Sequence, residues 1–209
     1  MARVSAGRAR LGAGSTTVWE CGDVPDHFRG IAPLAIVIMG VSGSGKSTLG
    51  AEIAHTIGCP FLEGDSFHAS EAIAKMRAGT PLTDGDRCPW LDRIGRAVET
   101  EINRHGIAVA ACSALRKVYR DRLRDAITAP VRFVLLDVDR EELTQRLNSR
   151  AGHYMPASLL SSQLETLERP EPDETVLTLD ARLPPTLLAE QALAWLKGQT
   201  KSEAQSPSA

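Results

Sequence analysis

The segment Leu34–Ser47 restricts the fold of this chain more than any other stretch. Leu34–Met39 (LAIVIM) is a continuous apolar run, the pattern of a strand buried on both faces in a parallel sheet. It leads directly into Gly40-Val41-Ser42-Gly43-Ser44-Gly45-Lys46-Ser47, which satisfies G-x-x-x-x-G-K-[ST]. Beyond that loop Leu49, Ile53 and Ile57 recur four apart on one helix face, and Gly58 supplies a stop. Strand, glycine loop and helix in this order form a P-loop. Glycines let the backbone turn so that successive N–H groups face phosphate oxygens, and the helix adds its positive N-terminal end. Lys46 brings a charge to the β- and γ-phosphates, and Ser47 brings a hydroxyl to Mg²⁺. Gly40 through Ser47, with Thr48, are therefore the expected ATP contacts.

The rest of the chain alternates short β-like runs with helical patterns, which predicts an α/β fold with helices flanking a parallel sheet. Strands are expected at Leu34–Met39, Pro60–Glu63, Ile107–Cys112, Val131–Leu136 and Val176–Leu179. Helices are expected at Ala69–Arg77, Leu91–Arg104, Lys117–Ile127, Ala157–Leu167 and Thr186–Leu196, besides those after the P-loop and after Asp139. Thr80–Trp90, dense in turn formers and acids, reads as a loop. Asp139 and Glu142 have the spacing of a capping box.

With 209 residues there is length for one domain with a real core. A net charge of −2 argues against a mainly electrostatic nucleic-acid or membrane binder, and no apolar run approaches the roughly 20 residues of a membrane span. The four cysteines form no C-x-x-C pair and read as reduced structural thiols in a cytoplasmic protein. Met1–Thr17 has three arginines and no acid, a transit-peptide trait, but it lacks an apolar face and is broken by glycines. A disordered extension over residues 1–33, a P-loop domain over 34–197 and a disordered tail over 198–209 are the expected divisions.

Phosphoryl transfer needs more than the loop. Glu63-Gly64-Asp65 stands where the second strand ends, and ligands of open α/β sheets gather at the carboxyl ends of strands. Acids there can hold Mg²⁺ through water and orient a hydroxyl; helix capping is the competing reading of Asp65. The third strand ends in Cys112-Ser113 rather than in the Asp of motor and switch ATPases, which favours a small-molecule kinase. Arg146 and Arg150 lie four apart before Gly152, as in a closing lid whose arginines stabilise the moving phosphoryl group, or as on a solvated helix face. Arg116, Lys117, Arg120, Arg122 and Arg124 form either a basic helix face or an anion pocket, and Tyr119 belongs to core or to pocket. His68 has too few companions for a metal site; a polyol hydrogen bond, a cap or a surface position all fit it.

Six stretches resemble gluconokinases of the shikimate-kinase-like P-loop type: MGVSGSGKST at Met39–Thr48, LEGDSFH at Leu62–His68, KMRAGTPLTDGDRCPWL at Lys75–Leu91, CSALRKVYRDRLR at Cys112–Arg124, Arg146–Glu168, and Pro172–Glu174. The resemblance implies ATP-dependent phosphorylation of D-gluconate at its 6-hydroxyl, a five-stranded sheet of order 2-3-1-4-5, a lid and a homodimer. It implies that Asp65 orients or deprotonates the hydroxyl and that Arg87, Ser113, Lys117, Arg120 and Gln163 line the acceptor pocket, with His68 beside Asp65. Arg150 would be the lid arginine, with Arg146 behind it. The chain departs from the family pattern at Ala72, at Arg116 and at Leu164. The alternatives are another small-molecule kinase, of shikimate or nucleoside type, and an ATP-binding regulator without transfer activity.

Overall fold

The computed structural model describes residues 9–11, 16–19, 33–149 and 158–203. Strand β3 (Leu34–Met39) lies at the centre of the sheet, flanked in parallel by β5 (Ile107–Ala111) and β6 (Val131–Asp137). β4 (Phe61–Glu63) continues beyond β5 and β7 (Val176–Asp180) beyond β6, so the five parallel strands have the expected order 2-3-1-4-5. The alternation of β3 explains why its run is apolar throughout. Leu34, Ile36 and Ile38 enter one core cluster, and Ala35, Val37 and Met39 enter the other. Helices α1 (Lys46–Ile57) and α7 (Pro185–Glu203) cover the first face. Helices α3 (Asp84–His105) and α4 (Lys117–Ala126) cover the second. Between β4 and α3 lie a 3₁₀ turn (Gly64–Phe67) and α2 (Ser70–Arg77); α5 (Arg140–Ser149) and α6 (Ser158–Thr166) follow β6.

Three expectations are corrected. Residues 1–33 do not lie wholly outside the fold: β1 (Ala9–Leu11) and β2 (Thr16–Trp19) pair antiparallel, and β2 pairs with β4 at Thr16↔Leu62 and Thr17↔Phe61. The backbone groups of an edge strand need partners, and the β-forming TTVW segment supplies them, making a seven-stranded sheet. At the other end α7 continues to Glu203, past the boundary expected at 197. Thr80–Trp90 is not all loop, because α3 begins at Asp84. Thr83 accepts from the Asp86 N–H while Asp86 accepts from the Thr83 N–H, a capping box whose acid is Asp rather than Glu. Pro89 sits early in that helix, where the residue four back is Gly85. Among the described residues no helix is long and apolar enough to cross a membrane.

Candidate active site

Gly40 and Gly45 give the P-loop its shape with φ of 139° and 100°. A side chain at Gly40 would meet the Leu136 carbonyl at 2.8 Å, so only glycine fits. Val41 and Ser44 point into the protein, and their part in the loop is played by the backbone. The N-cap of α1 is Gly45, with no side-chain cap and no acid in the first turn. That helix end is left for an external anion. The Lys46 ammonium donates to the Val41 carbonyl at 3.0 Å. Burial lowers its pKa, and the carboxylates of Asp65 and Glu63 oppose that shift.

Two clefts open at this loop. One is a trough lined by the loop backbone with Ser47, Thr48, Glu63 and Asp65. The other, with about 640 Å³ of open space, runs from Ser42 and Lys46 past Asp65 to His68, Arg87, Ser113 and Gln163. Ser42, Lys46 and Asp65 line both. Asp65 reaches this junction on the 3₁₀ turn, which passes so close to β5 that a Cβ on Gly64 would lie 2.1 Å from the Ala111 carbonyl. The turn is tied to α3 by the Trp90 indole, which donates to the Gly64 carbonyl at 2.7 Å, and by Arg93, which donates to the Phe67 carbonyl at 2.8 Å.

His68 stacks on Trp90, with centroids 4.3 Å apart and planes 9° from parallel. Burial lowers its pKa ahead of the opposing pull of Asp65, which favours the neutral ring. Its Nδ1 is buried without a hydrogen-bond partner among the described residues. Gln163, on α6, accepts from the Ser42 N–H at 2.7 Å and so brings that helix onto the P-loop. Glu63 accepts from the Ser47 hydroxyl; burial raises its pKa and that bond lowers it.

The structure divides the basic helix. Arg120 and Lys117, expected in the acceptor pocket, do not line it. Arg120 is fully buried in a two-point pair with Glu174 at 2.7 Å per bond, and it also donates to the Glu168 carbonyl. Lys117 turns its ammonium to Asp121 at 3.4 Å. Arg122 pairs with Asp92 at 2.6 Å, and Arg124 with Asp121 at 2.7 Å. Arg146 is not brought to the phosphate trough: it donates to Glu142 at 2.6 Å and to the Ala181 carbonyl at 2.8 Å. Arg150 lies outside the described residues. Asp139 caps α5 by accepting from the Glu142 N–H at 2.9 Å, as expected, and Asp137 is paired with Arg169. Cys112 is buried, and burial pushes its thiol up to about 12, which leaves it inert. Sequence reasoning gave no site role to Trp90; only a fold that packs α3 against the 3₁₀ turn shows that it supports both His68 and the Asp65 backbone.

Residues 36–170 match the AAA domain family, described as "AAA domain". The chain is similar to a gluconokinase from Gluconobacter oxydans (strain 621H), 42% identical over 164 residues that cover 78% of this chain and 92% of that one. Among solved structures it is similar to a gluconokinase from Sinorhizobium meliloti 1021, with a TM-score of 0.74, 43% identity and coverage of 82% and 96%. A sugar kinase from Janibacter sp. HTCC2649 matches with a TM-score of 0.74, 47% identity and coverage of 78% and 93%. With a P-loop, a second cleft meeting it at Lys46 and Asp65, and relatives of this identity and coverage, the chain belongs to the gluconokinase family.

Proposed function

We propose that the protein transfers the γ-phosphoryl group of ATP to the 6-hydroxyl of D-gluconate, giving 6-phospho-D-gluconate and ADP. The observation that carries this reading is the junction of the two clefts at Lys46 and Asp65. The hydroxyl oxygen bonds to the γ-phosphorus, the bond to the β–γ bridging oxygen breaks, and the hydroxyl proton passes to Asp65. In a loose transition state position and charge count for more than base strength. Lys46 supplies positive charge to the phosphate side, and the loop N–H groups supply donors. Gln163 takes the Ser42 N–H, a donor for which a phosphate oxygen would compete. On the acceptor side Arg87 faces the carboxylate, and His68 and Ser113 face hydroxyls. Arg150 is the proposed lid arginine.

Mg²⁺ fits the residues present. The Ser47 hydroxyl, Glu63 and Asp65 line the trough with hard oxygen donors, too few for an all-protein cage but suited to an ion that keeps waters and shares phosphates. When bound, it neutralises charge on the β- and γ-phosphates. The family resemblance also carries a homodimer in the cytoplasm. A panel of sugar acids, shikimate and nucleosides with Mg-ATP tests the reading. Gluconate is expected to turn over fastest; no turnover of gluconate beside turnover of shikimate or a nucleoside overturns it.

A further inference from the structure

At the edge of the acceptor cleft, the start of α3 meets the start of α4 and the end of α6 in a cluster of four charges around one phenol. The Tyr119 hydroxyl donates to Asp84 Oδ1. Its proton is thereby committed, and its lone pairs point elsewhere. One of them accepts from Arg87 Nη1 at 3.3 Å. The Arg87 and Arg116 guanidinium carbons lie 5.7 and 5.5 Å from the Tyr119 ring centre, within cation–π range. Arg116 in turn donates to Asp84 Oδ2 at 2.8 Å and to Glu168 Oε1 at 3.1 Å. The other Glu168 oxygen accepts from the Lys117 N–H at 2.7 Å, at the first turn of α4.

The charges of this cluster are spent unevenly. Glu168 is committed to Arg116 and the helix end, and Asp84 to Tyr119 and Arg116. Among the described residues Arg87 has only a 4.0 Å approach to Asp84 Oδ1 and the neutral phenol. Its charge is therefore held in place and only partly offset, by a carboxylate it shares with Arg116. Arg87 is also the one member of the cluster that lines the acceptor cleft. Tyr119 is 2% exposed and packs in the core, so the phenol is a rigid post.

We infer that Tyr119 is a positioning residue, which with Asp84 sets the pose of Arg87 for the acceptor's carboxylate, while Arg116 and Glu168 link that pose to the end of helix α6. This rests on the reading of Arg87 as the carboxylate contact. It explains why a tyrosine rather than a phenylalanine stands at a core position, where a buried hydroxyl needs partners.

The test compares the parent enzyme with Tyr119→Phe, Arg87→Gln and the double variant, reading KM for gluconate, KM for ATP and kcat. Tyr119→Phe removes only the hydroxyl. It is expected to raise KM for gluconate about tenfold, the size of one hydrogen bond to a charged group, with KM for ATP within about twofold. Arg87→Gln is expected to raise KM for gluconate more, and the double variant to be no worse than Arg87→Gln alone. Should Arg87→Gln leave KM for gluconate unchanged, the carboxylate reading fails and the inference falls with it. Should Arg87→Gln raise it while Tyr119→Phe does not, or should the two effects multiply, the inference alone is overturned. A merely structural role would raise both KM values and lower kcat together as the fold weakens. Asp84→Ala, at an exposed position, provides the second variant where Tyr119→Phe folds poorly, and the same selective rise in KM for gluconate is expected.

Discussion

Lys46 donates to the Val41 carbonyl while standing between two clefts, and the trough beside it has a helix end with no cap of its own. On the proposed function, removing that ammonium takes away a charge preorganised for the transferring phosphoryl group. Lys46→Ala is expected to lose roughly 3 kcal/mol or more of transition-state stabilisation, over a hundredfold in kcat/KM. A loss under tenfold in steady-state assays contradicts the role. This residue was legible in the sequence because its partners are its neighbours: eight consecutive positions carry the whole motif. Arg120 was not. Its composition and spacing suited an anion pocket, but its anion is Glu174, 54 positions along the chain. A basic residue looks the same in sequence whether its carboxylate is a ligand or a distant side chain.

At the scale of elements, the 3₁₀ turn decides where Asp65 stands. Gly64 allows it to pass the end of β5, and Trp90 and Arg93 bond its carbonyls from α3. A Cβ 2.1 Å from the Ala111 carbonyl cannot be relieved by a rotamer, because the Cβ position is fixed by the backbone and the group it meets is a backbone carbonyl. Gly64→Ala is therefore expected to cost about 3 kcal/mol of stability, read as a shift in denaturation midpoint. It should also lower kcat on the order of a hundredfold by displacing Asp65, checked by steady-state kinetics. The strands and most helices were readable from apolar periodicity, since each buries a face against its neighbours. The start of α3 was not, because Thr80–Trp90 is rich in the residues that make turns. The same Thr and Asp that signal a turn also cap a helix, and only the Thr83–Asp86 geometry separates the two.

Across the whole molecule, the buried Arg120–Glu174 pair joins α4 to the approach to β7, on the side of the sheet that also holds α3. The pair holds the Glu174 carboxyl at about 2, below its ordinary 4.5. A depressed carboxyl contributes stability that is present above the unfolded value and lost as pH falls toward the folded one, here between about 4.5 and 2. Glu174→Gln leaves Arg120 buried without its counter-charge, and it is expected to cost roughly 3–5 kcal/mol at neutral pH. It should also flatten the acid limb, so that the variant approaches the parent's stability as pH falls. Denaturant titrations across that range check both. The sequence by itself determined the phosphate loop and the alternation of strands and helices, because both are written in local spacing, and its six motif stretches carried the resemblance to the family. Which cations line the acceptor cleft and which bind the protein's own acids was decided by the tertiary structure alone. So was the addition of β1 and β2 to the edge at β4, and the post that Tyr119 offers Arg87. Those pairings join groups tens of residues apart, and their energies depend on burial and direction, which exist only once the chain has closed on itself.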